Sequence, residues 1–170
     1  MNLLSMQKFV VLLCALLPLL LASCTGTATL SKATSQRWYP GVEGANSGKN
    51  YVLTYDKPSG LEVKIDRVWV GQRDKGWLPR FVVRPQTSDT CDQHIARKGV
   101  TSFTLHFTET FPGQPRRGEM SPTMVVPFDP VPSDLPAEFT NGVVVWYQAC
   151  KQKGTWIVSE FKELKPQYFP

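Results

Sequence analysis

The chain has 170 residues, of which 42% are hydrophobic and 19% are charged, and its formal net charge is +5. This length suits one domain and is too short for two of ordinary size, since domains cluster around ~100–150 residues. The composition excludes disorder as the default state, and 14 prolines with 12 glycines argue against long helices. We therefore expect a single folded, turn-rich domain.

The first predicted element is an apolar run from Phe9 to Leu21 that follows the single charge of Lys8. At about 13 residues it is shorter than the ~20 that a membrane-spanning helix needs, and it has the length of a signal peptide. The sequence Leu21-Ala22-Ser23-Cys24 follows, with small residues at the two positions before the cysteine. It resembles the lipobox of bacterial lipoproteins, and an ordinary secretory signal or an N-terminal anchor with a chance cysteine is the alternative.

The resemblance to lipoproteins implies that signal peptidase II removes residues 1–23. Cys24 then carries a diacylglycerol on sulfur and an acyl chain on the new amino group, and no other cofactor is expected. In lipoproteins of this kind an Asp after the cysteine commonly signals retention in the inner membrane, so Thr25 implies the outer membrane. Acidic residues are absent from Thr25 to Gln36, which implies the periplasmic side of the cell envelope.

The next segment, residues 24–37, is rich in Thr, Ser and Ala and has no periodic apolar pattern. We predict a flexible tether for it, and a single domain over residues 38–170. Two cysteines remain in that domain, Cys91 and Cys150, and an even pair in an oxidising compartment predicts a disulfide. A metal site on Cys91, His94 and Cys150, or two free thiols, are the alternatives.

Short runs of period-two hydrophobicity, separated by Gly, Pro and Asn, predict β-strands from Lys49 onward. A change of parity after Arg67 predicts a bulge or a strand end. The fold class is therefore all-β, an antiparallel β-sandwich of which the immunoglobulin-like topology is one form, with a small barrel as the alternative. The predicted strands are 51–55, 61–70, 77–83, 100–109, a short edge strand at 124–126, and a C-terminal hairpin of 142–150 and 155–164 around a loop at 151–154.

Four further segments are distinctive, namely Gly41-Val42-Glu43-Gly44-Ala45-Asn46-Ser47-Gly48, Leu61 through Trp69, Val143-Val144-Val145-Trp146-Tyr147, and Phe161-Lys162-Glu163-Leu164 to Tyr168-Phe169-Pro170. Together they resemble small lipoproteins of Bacteroidota, which combine a lipobox with a glycine-rich segment, a strand pair and a closing hairpin. The resemblance implies an envelope protein and assigns no catalytic residue.

The residues that predict an interaction site are Arg73, Lys75, Trp77 and Arg80, because an aromatic anchor flanked by cations has the composition of a binding hot spot. Trp77, between Gly76 and Pro79, is expected to be the most exposed tryptophan. We expect a non-enzymatic binding or envelope-assembly module whose partners are the membrane and an envelope protein or glycan. A glycan-binding module that uses exposed tryptophan, and a hydrolase with a carboxylate or histidine site, are the alternatives.

Nucleotides and nucleic acids are not expected as partners. The segment from Gly44 to Lys49 departs from a phosphate-binding loop because Glu43 stands at the first glycine position and Asn50 replaces the Ser or Thr that would hold Mg²⁺. Export removes the chain from nucleic acid, and its Lys and Arg residues are dispersed.

Overall fold

A computed structural model describes residues 26–85, 94–113 and 128–170. Within these ranges the chain forms ten β-strands and no helix, so the expected all-β class is confirmed. The strands are β1 (Thr29–Tyr39), β2 (Ser47–Asp56), β3 (Val63–Gln72), β4 (Gly76–Trp77), β5 (Phe81–Pro85), β6 (Ile95–Ala96), β7 (Ser102–Phe111), β8 (Asn141–Ala149), β9 (Gln152–Val158) and β10 (Lys162–Tyr168).

The strands form two sheets that pack as a sandwich. The first sheet has the order β10-β1-β2-β7-β5, and the second has the order β4-β3-β8-β9, with β6 paired to β3. The pairs are antiparallel as expected, except that β1 and β10 run parallel, with Thr34 opposite Lys162 and Tyr39 opposite Tyr168. The first and last strands of the domain are therefore neighbours at one edge of the first sheet.

The expected tether is wrong for residues 29–37, which belong to β1. β1 pairs along its length with β2, from Thr29 opposite Asp56 to Trp38 opposite Gly48. Thr and Ser are compatible with strands, and their hydroxyls add hydrogen bonds here, since the Thr34 hydroxyl donates to the Val52 carbonyl at 3.4 Å. Large apolar residues alternate clearly in the other predicted strands. This alternation is weak in β1, because small side chains occupy its inner positions.

The expected irregularity in β3 is confirmed as a bulge, since its pairing with β8 shifts between Ile65 and Arg67. The strand expected over 77–83 is two strands instead. β4 ends at Trp77 in the second sheet, and the chain crosses at Pro79 to begin β5 at Phe81 in the first sheet. Proline cannot donate to a ladder, so it suits this crossing.

The C-terminal hairpin is confirmed, but its turn is shorter than expected. β8 and β9 are joined by Cys150 and Lys151 alone, with φ values of 49° and 65°. Two successive residues with positive φ define the tight turn that suits the strand twist, although the usual Asn-Gly signal is absent. β9 ends at Val158, and the chain changes sheets before β10 rather than continuing as one strand.

The main core lies between the sheets and is built from alternate residues of each strand. Leu53 and Leu105 from the first sheet and Val63 and Val145 from the second are fully buried. A stack of aromatic rings crosses this core from one sheet to the other. It runs from Phe103 to Tyr55 (5.3 Å between centroids), to Trp156 (4.3 Å) and to Tyr147 (3.7 Å).

A second apolar cluster lies on the outer face of the second sheet. Trp69, Val144 and Trp146 point outward there, and Leu135 and Phe139 from the segment before β8 cover them. The Arg67 guanidinium lies 4.3 Å from the Trp146 ring and pairs with Asp134. These contacts hold the segment before β8 against the second sheet.

Some expected features lie outside the described residues. These are the signal peptide, Cys24, Cys91 and the edge strand at 124–126. Cys150 is described, in the turn after β8, but pairing with Cys91 stays a prediction.

Candidate functional site

The inner face of the first sheet changes from apolar to charged toward one end of the sandwich. On β2, Leu53 and Tyr51 are core residues, and the next inward position is Lys49. Lys49 is opposite Arg37 on β1 and Glu109 on β7, so a row of charged residues follows the last layer of the core. Side chains of one strand alternate between faces, and these three therefore share the inner face.

An open cleft of about 460 Å³ lies over this charged row, between the ends of the two sheets. The first sheet contributes charged and aromatic side chains, and the second contributes the β3–β4 turn, the start of β8 and the segment after β9. The lining residues are Lys49, Tyr51, Val70, Gly71, Gln72, Lys75, Trp77, Glu109, Asn141, Gly142, Val143, Ser159, Phe161 and Glu163.

Tyr51 and Glu109 form the hydrogen bond at the base of the cleft. The Tyr51 hydroxyl donates to Glu109 Oε2 at 3.0 Å, and the Tyr51 ring stacks on Phe107 at 5.0 Å. Burial raises the pKa of Glu109 above its usual value, against the opposing effects of the Tyr51 hydrogen bond and of Lys49. Burial, and then the Glu109 charge, also raise the pKa of Tyr51, which stays protonated and donates.

Lys49 and Glu163 form the ion pair of the cleft, with Lys49 Nζ 3.1 Å from Glu163 Oε1. Lys49 Nζ also lies 5.5 Å from the centroid of the Tyr51 ring. The hydrogen bond and the charge of Lys49 lower the pKa of Glu163. The two cleft carboxyls thus have pKa values displaced in opposite directions, Glu109 upward and Glu163 downward.

Three aromatic side chains give the cleft its apolar surface. Phe161 meets the Tyr51 ring edge-on at 5.4 Å, and Trp77 packs half-buried against the core. Beyond the charged row, Tyr39 and Tyr168 continue the same face of the first sheet and stack at 5.3 Å. Tyr168 is 73% exposed, so this pair forms an aromatic rim.

Two glycines shape the second-sheet wall of the cleft. Gly71 and Gly142 are opposite each other on β3 and β8, with φ values of +121° and +119°. A Cβ at Gly142 would lie 2.3 Å from the Val158 carbonyl oxygen, and one at Gly71 would lie 2.6 Å from that of Lys75. Larger residues would be strained at both positions.

The four residues of the expected interaction site lie in two different environments in the structure. Lys75 and Trp77 line the cleft, whereas Arg73 and Arg80 do not. The Arg73 guanidinium donates to the carbonyls of Pro136, Ala137 and Phe139, at 2.7 to 3.2 Å, and so holds the segment that covers the second apolar cluster. Trp77 is half-buried rather than prominently exposed.

Sequence reasoning missed the charged half of the site, namely Arg37, Lys49, Glu109 and Glu163. The available signal was parity, because Lys49 shares the face of Tyr51 and Leu53, and Glu109 shares the face of Phe107. Charges at inward positions indicate that the core ends there. Glu163 carried no such signal, since its partner lies two strands away.

Both histidines of the chain, His94 and His106, lie among the described residues. His106 lies on the outer face of the first sheet, and burial lowers its pKa. No group of three or more His, Cys, Asp or Glu able to hold a metal occurs in residues 26–85, 94–113 and 128–170. The same ranges contain no helix of the length and apolarity that would cross a membrane.

Comparison with known proteins gives no relative. A scan against protein-family models finds no match, and searches of the curated proteins and of the solved structures also find none. The residues and geometry of the cleft are therefore the basis on which a function can be inferred.

Proposed function

We propose that this protein is a lipid-anchored module of the bacterial outer membrane that binds a glycan in the cleft between its sheets. The observation that carries the proposal is the cleft of about 460 Å³ in which Trp77, Tyr51 and Phe161 lie beside paired charges. This volume falls within the range of ~300–1,000 Å³ that is usual for ligand sites.

The chemistry of the lining fits a sugar. A pyranose presents C–H groups on its faces and hydroxyls at its edge, so it needs an aromatic surface with donors and acceptors beside it. Trp77 supplies aromatic surface, Glu109 and Glu163 supply acceptors, and Lys49, Lys75 and Asn141 supply donors. The rim formed by Tyr39 and Tyr168 adds a stacking surface beyond the cleft, which suits a chain of sugars better than a single one.

Anchoring is supported by the lipobox-like sequence Leu21-Ala22-Ser23-Cys24. A diacylated and N-acylated cysteine holds a protein in a bilayer far more firmly than one chain, since each buried CH₂ contributes ~0.8 kcal/mol. Anchored in this way, the module would meet the glycans of the cell envelope.

Titration calorimetry with soluble envelope glycan fragments, such as peptidoglycan oligosaccharides, tests the binding. Lys75→Ala is the informative variant because Lys75 is exposed and lines the cleft, and we expect it to weaken binding about tenfold. Arg80→Ala is the matched control, since it removes an exposed cation five residues away that does not line the cleft. Equal affinity in both variants, or no heat with any fragment, would contradict the proposal.

A hydrolase is the second candidate, favoured by one observation. Glu109 and Glu163 line the same cleft, with the pKa of one raised and that of the other lowered. Such a division is typical of the general acid and the ionised carboxylate of glycosidases. Release of reducing ends from a glycan fragment by the natural protein, lost in both Glu109→Gln and Glu163→Gln, would favour this candidate over binding alone.

A further inference from the structure

The first described residues are fixed to the sandwich at one end. A Cβ placed on Gly26 would lie 2.4 Å from Cγ of Pro58, so the backbone at Gly26 contacts the proline ring. Ala28 is 4% exposed and belongs to the main core, and β1 begins at Thr29. The described chain therefore has no free length before its first strand.

This contact limits where a lipid on Cys24 can lie. Cys24 is two residues before Gly26, and consecutive Cα atoms are ~3.8 Å apart, so its Cα lies at most about 8 Å from that of Gly26. An acyl chain on Cys24 must enter the bilayer close to its own residue. The end of the sandwich that carries Pro58 must then lie close to the same bilayer surface.

Among the described residues, the surface at that end is formed by loops 57–61 and 97–100 and by the turn at Cys150 and Lys151, and we call this surface the anchor end. The turn belongs to it because Ala149 and Ala96 both pair with Val63. Among its exposed groups are Ser59, Gly60, Lys98, Gly99 and Lys151. These groups offer hydroxyl, backbone and ammonium donors to phosphate oxygens.

A buried lysine keeps the two loops of the anchor end together. Lys57 is 5% exposed, and its Nζ donates to the carbonyls of Leu61 (2.6 Å), Arg97 (2.9 Å) and Val100 (2.6 Å). The Gly99 amide also donates to the Ser59 carbonyl at 2.7 Å. These hydrogen bonds hold loops 57–61 and 97–100 together, so the two loops form one preformed surface.

We propose that the anchor end rests directly on the phosphate layer of the membrane, with Lys98 and Lys151 against lipid phosphates. This inference rests on the acylation of Cys24, which is part of the proposed function. Its consequence is a fixed orientation, because the cleft lies at the other end of β1. Thr29 pairs with Asp56 near the anchor end and Arg37 pairs with Lys49 in the cleft, which places the cleft up to about 26 Å farther from the bilayer at ~3.3 Å per residue.

Amine acetylation of the full-length acylated protein in vesicles of phosphatidylethanolamine and phosphatidylglycerol tests the orientation. Mass spectrometry would compare the rates at Lys98 and Lys151 with those at Lys75 and Lys165, which lie toward the cleft end. A variant with 20 Gly and Ser residues inserted between Thr25 and Gly26 is the matched control, since it keeps the lipid and releases the domain. We expect labelling at Lys98 and Lys151, relative to the other two lysines, to be several-fold slower in the natural protein than in the insertion variant.

The outcomes separate this inference from the proposed function. Equal relative rates in the two proteins, both floating with the vesicles, would overturn the orientation and leave the anchoring intact. Failure of the natural protein to float with vesicles would overturn the anchoring and this inference together. Glycan titration of the same samples reports on the cleft independently of either result.

Discussion

Lys49 and Glu163 lie on β2 and β10, which are separated by β1, and their side chains meet across it with Nζ 3.1 Å from Oε1. Arg37 of β1 lies opposite Lys49 in this arrangement, and Glu163 contributes to its raised pKa after Tyr39. The ion pair therefore connects β10 to β2, across β1 and over the charged row.

Glu163→Gln should reduce stability slightly at neutral pH and by less in acid. The pKa of Glu163 is lower in the folded protein than its usual 4.5, so its contribution is present above that value and is lost as pH falls through the folded pKa. The effect is small because the Glu163 side chain is 68% exposed and salt screens such pairs. Urea unfolding at pH 7 and pH 3 measures it, with Glu160→Gln as the exposed control, and an unchanged difference at pH 3 would refute the assignment.

Glu109→Gln should have the opposite pH dependence. The pKa of Glu109 is raised in the folded protein, so between about 4.5 and that raised value the folded state binds more protons and stability falls as pH rises. Gln keeps an acceptor for the Tyr51 hydroxyl and removes the charge. We expect the variant to gain stability relative to the natural protein as pH is raised from 3.5 to 7 in urea unfolding, and a loss over that range would contradict it.

Tyr55→Phe should leave stability unchanged or increase it by about 1 kcal/mol. The Tyr55 hydroxyl is fully buried and has no hydrogen-bond partner among the described residues, so removing it abolishes a desolvation cost and keeps the ring stack. Tyr51→Phe is the matched variant, since its hydroxyl donates to Glu109, and we expect it to be destabilised instead. Thermal unfolding of both decides the matter, and a marked loss in Tyr55→Phe would show that the hydroxyl is satisfied.

Arg73→Ala should destabilise the protein by about 1–2 kcal/mol, because its guanidinium donates to three carbonyls of the segment over the second apolar cluster. Arg80→Ala, which removes an exposed cation from the β4–β5 connection, should change stability by less than about 0.5 kcal/mol. Urea midpoints compare the two. Equal losses of stability in the two variants would show that Arg73 does not hold this segment, and would favour the interaction site expected from the sequence.

The expected Cys91–Cys150 disulfide should leave no titratable thiol when the mature chain, beginning at residue 24 and carrying Cys24→Ala, is unfolded without reductant. Closing a loop of about 60 residues contributes ~4 kcal/mol in the chain-entropy model, so Cys91→Ser with Cys150→Ser should unfold at much lower urea concentration. Two titratable thiols in the unreduced protein would contradict the pairing.

Much of the fold could be predicted from the sequence because the central strands alternate clearly, as in Phe103, Leu105 and Phe107 of β7. β1 could not, since Ala33 and Ser35 fill its inner positions and small residues carry little periodic signal. The cleft was only partly predictable. Lys75 and Trp77 belong to one short segment, whereas Lys49, Glu109 and Glu163 meet through pairing between strands far apart in sequence.

The parallel pairing of β1 with β10 sets the order in which the chain can complete its first sheet. Synthesis starts at the N-terminus, so Thr34 emerges long before Lys162, its partner. Until β10 has been made, one side of β1 remains an unpaired edge, open to pairing with another chain. A product truncated before residue 162 would keep that edge and would be prone to pair with other chains through it.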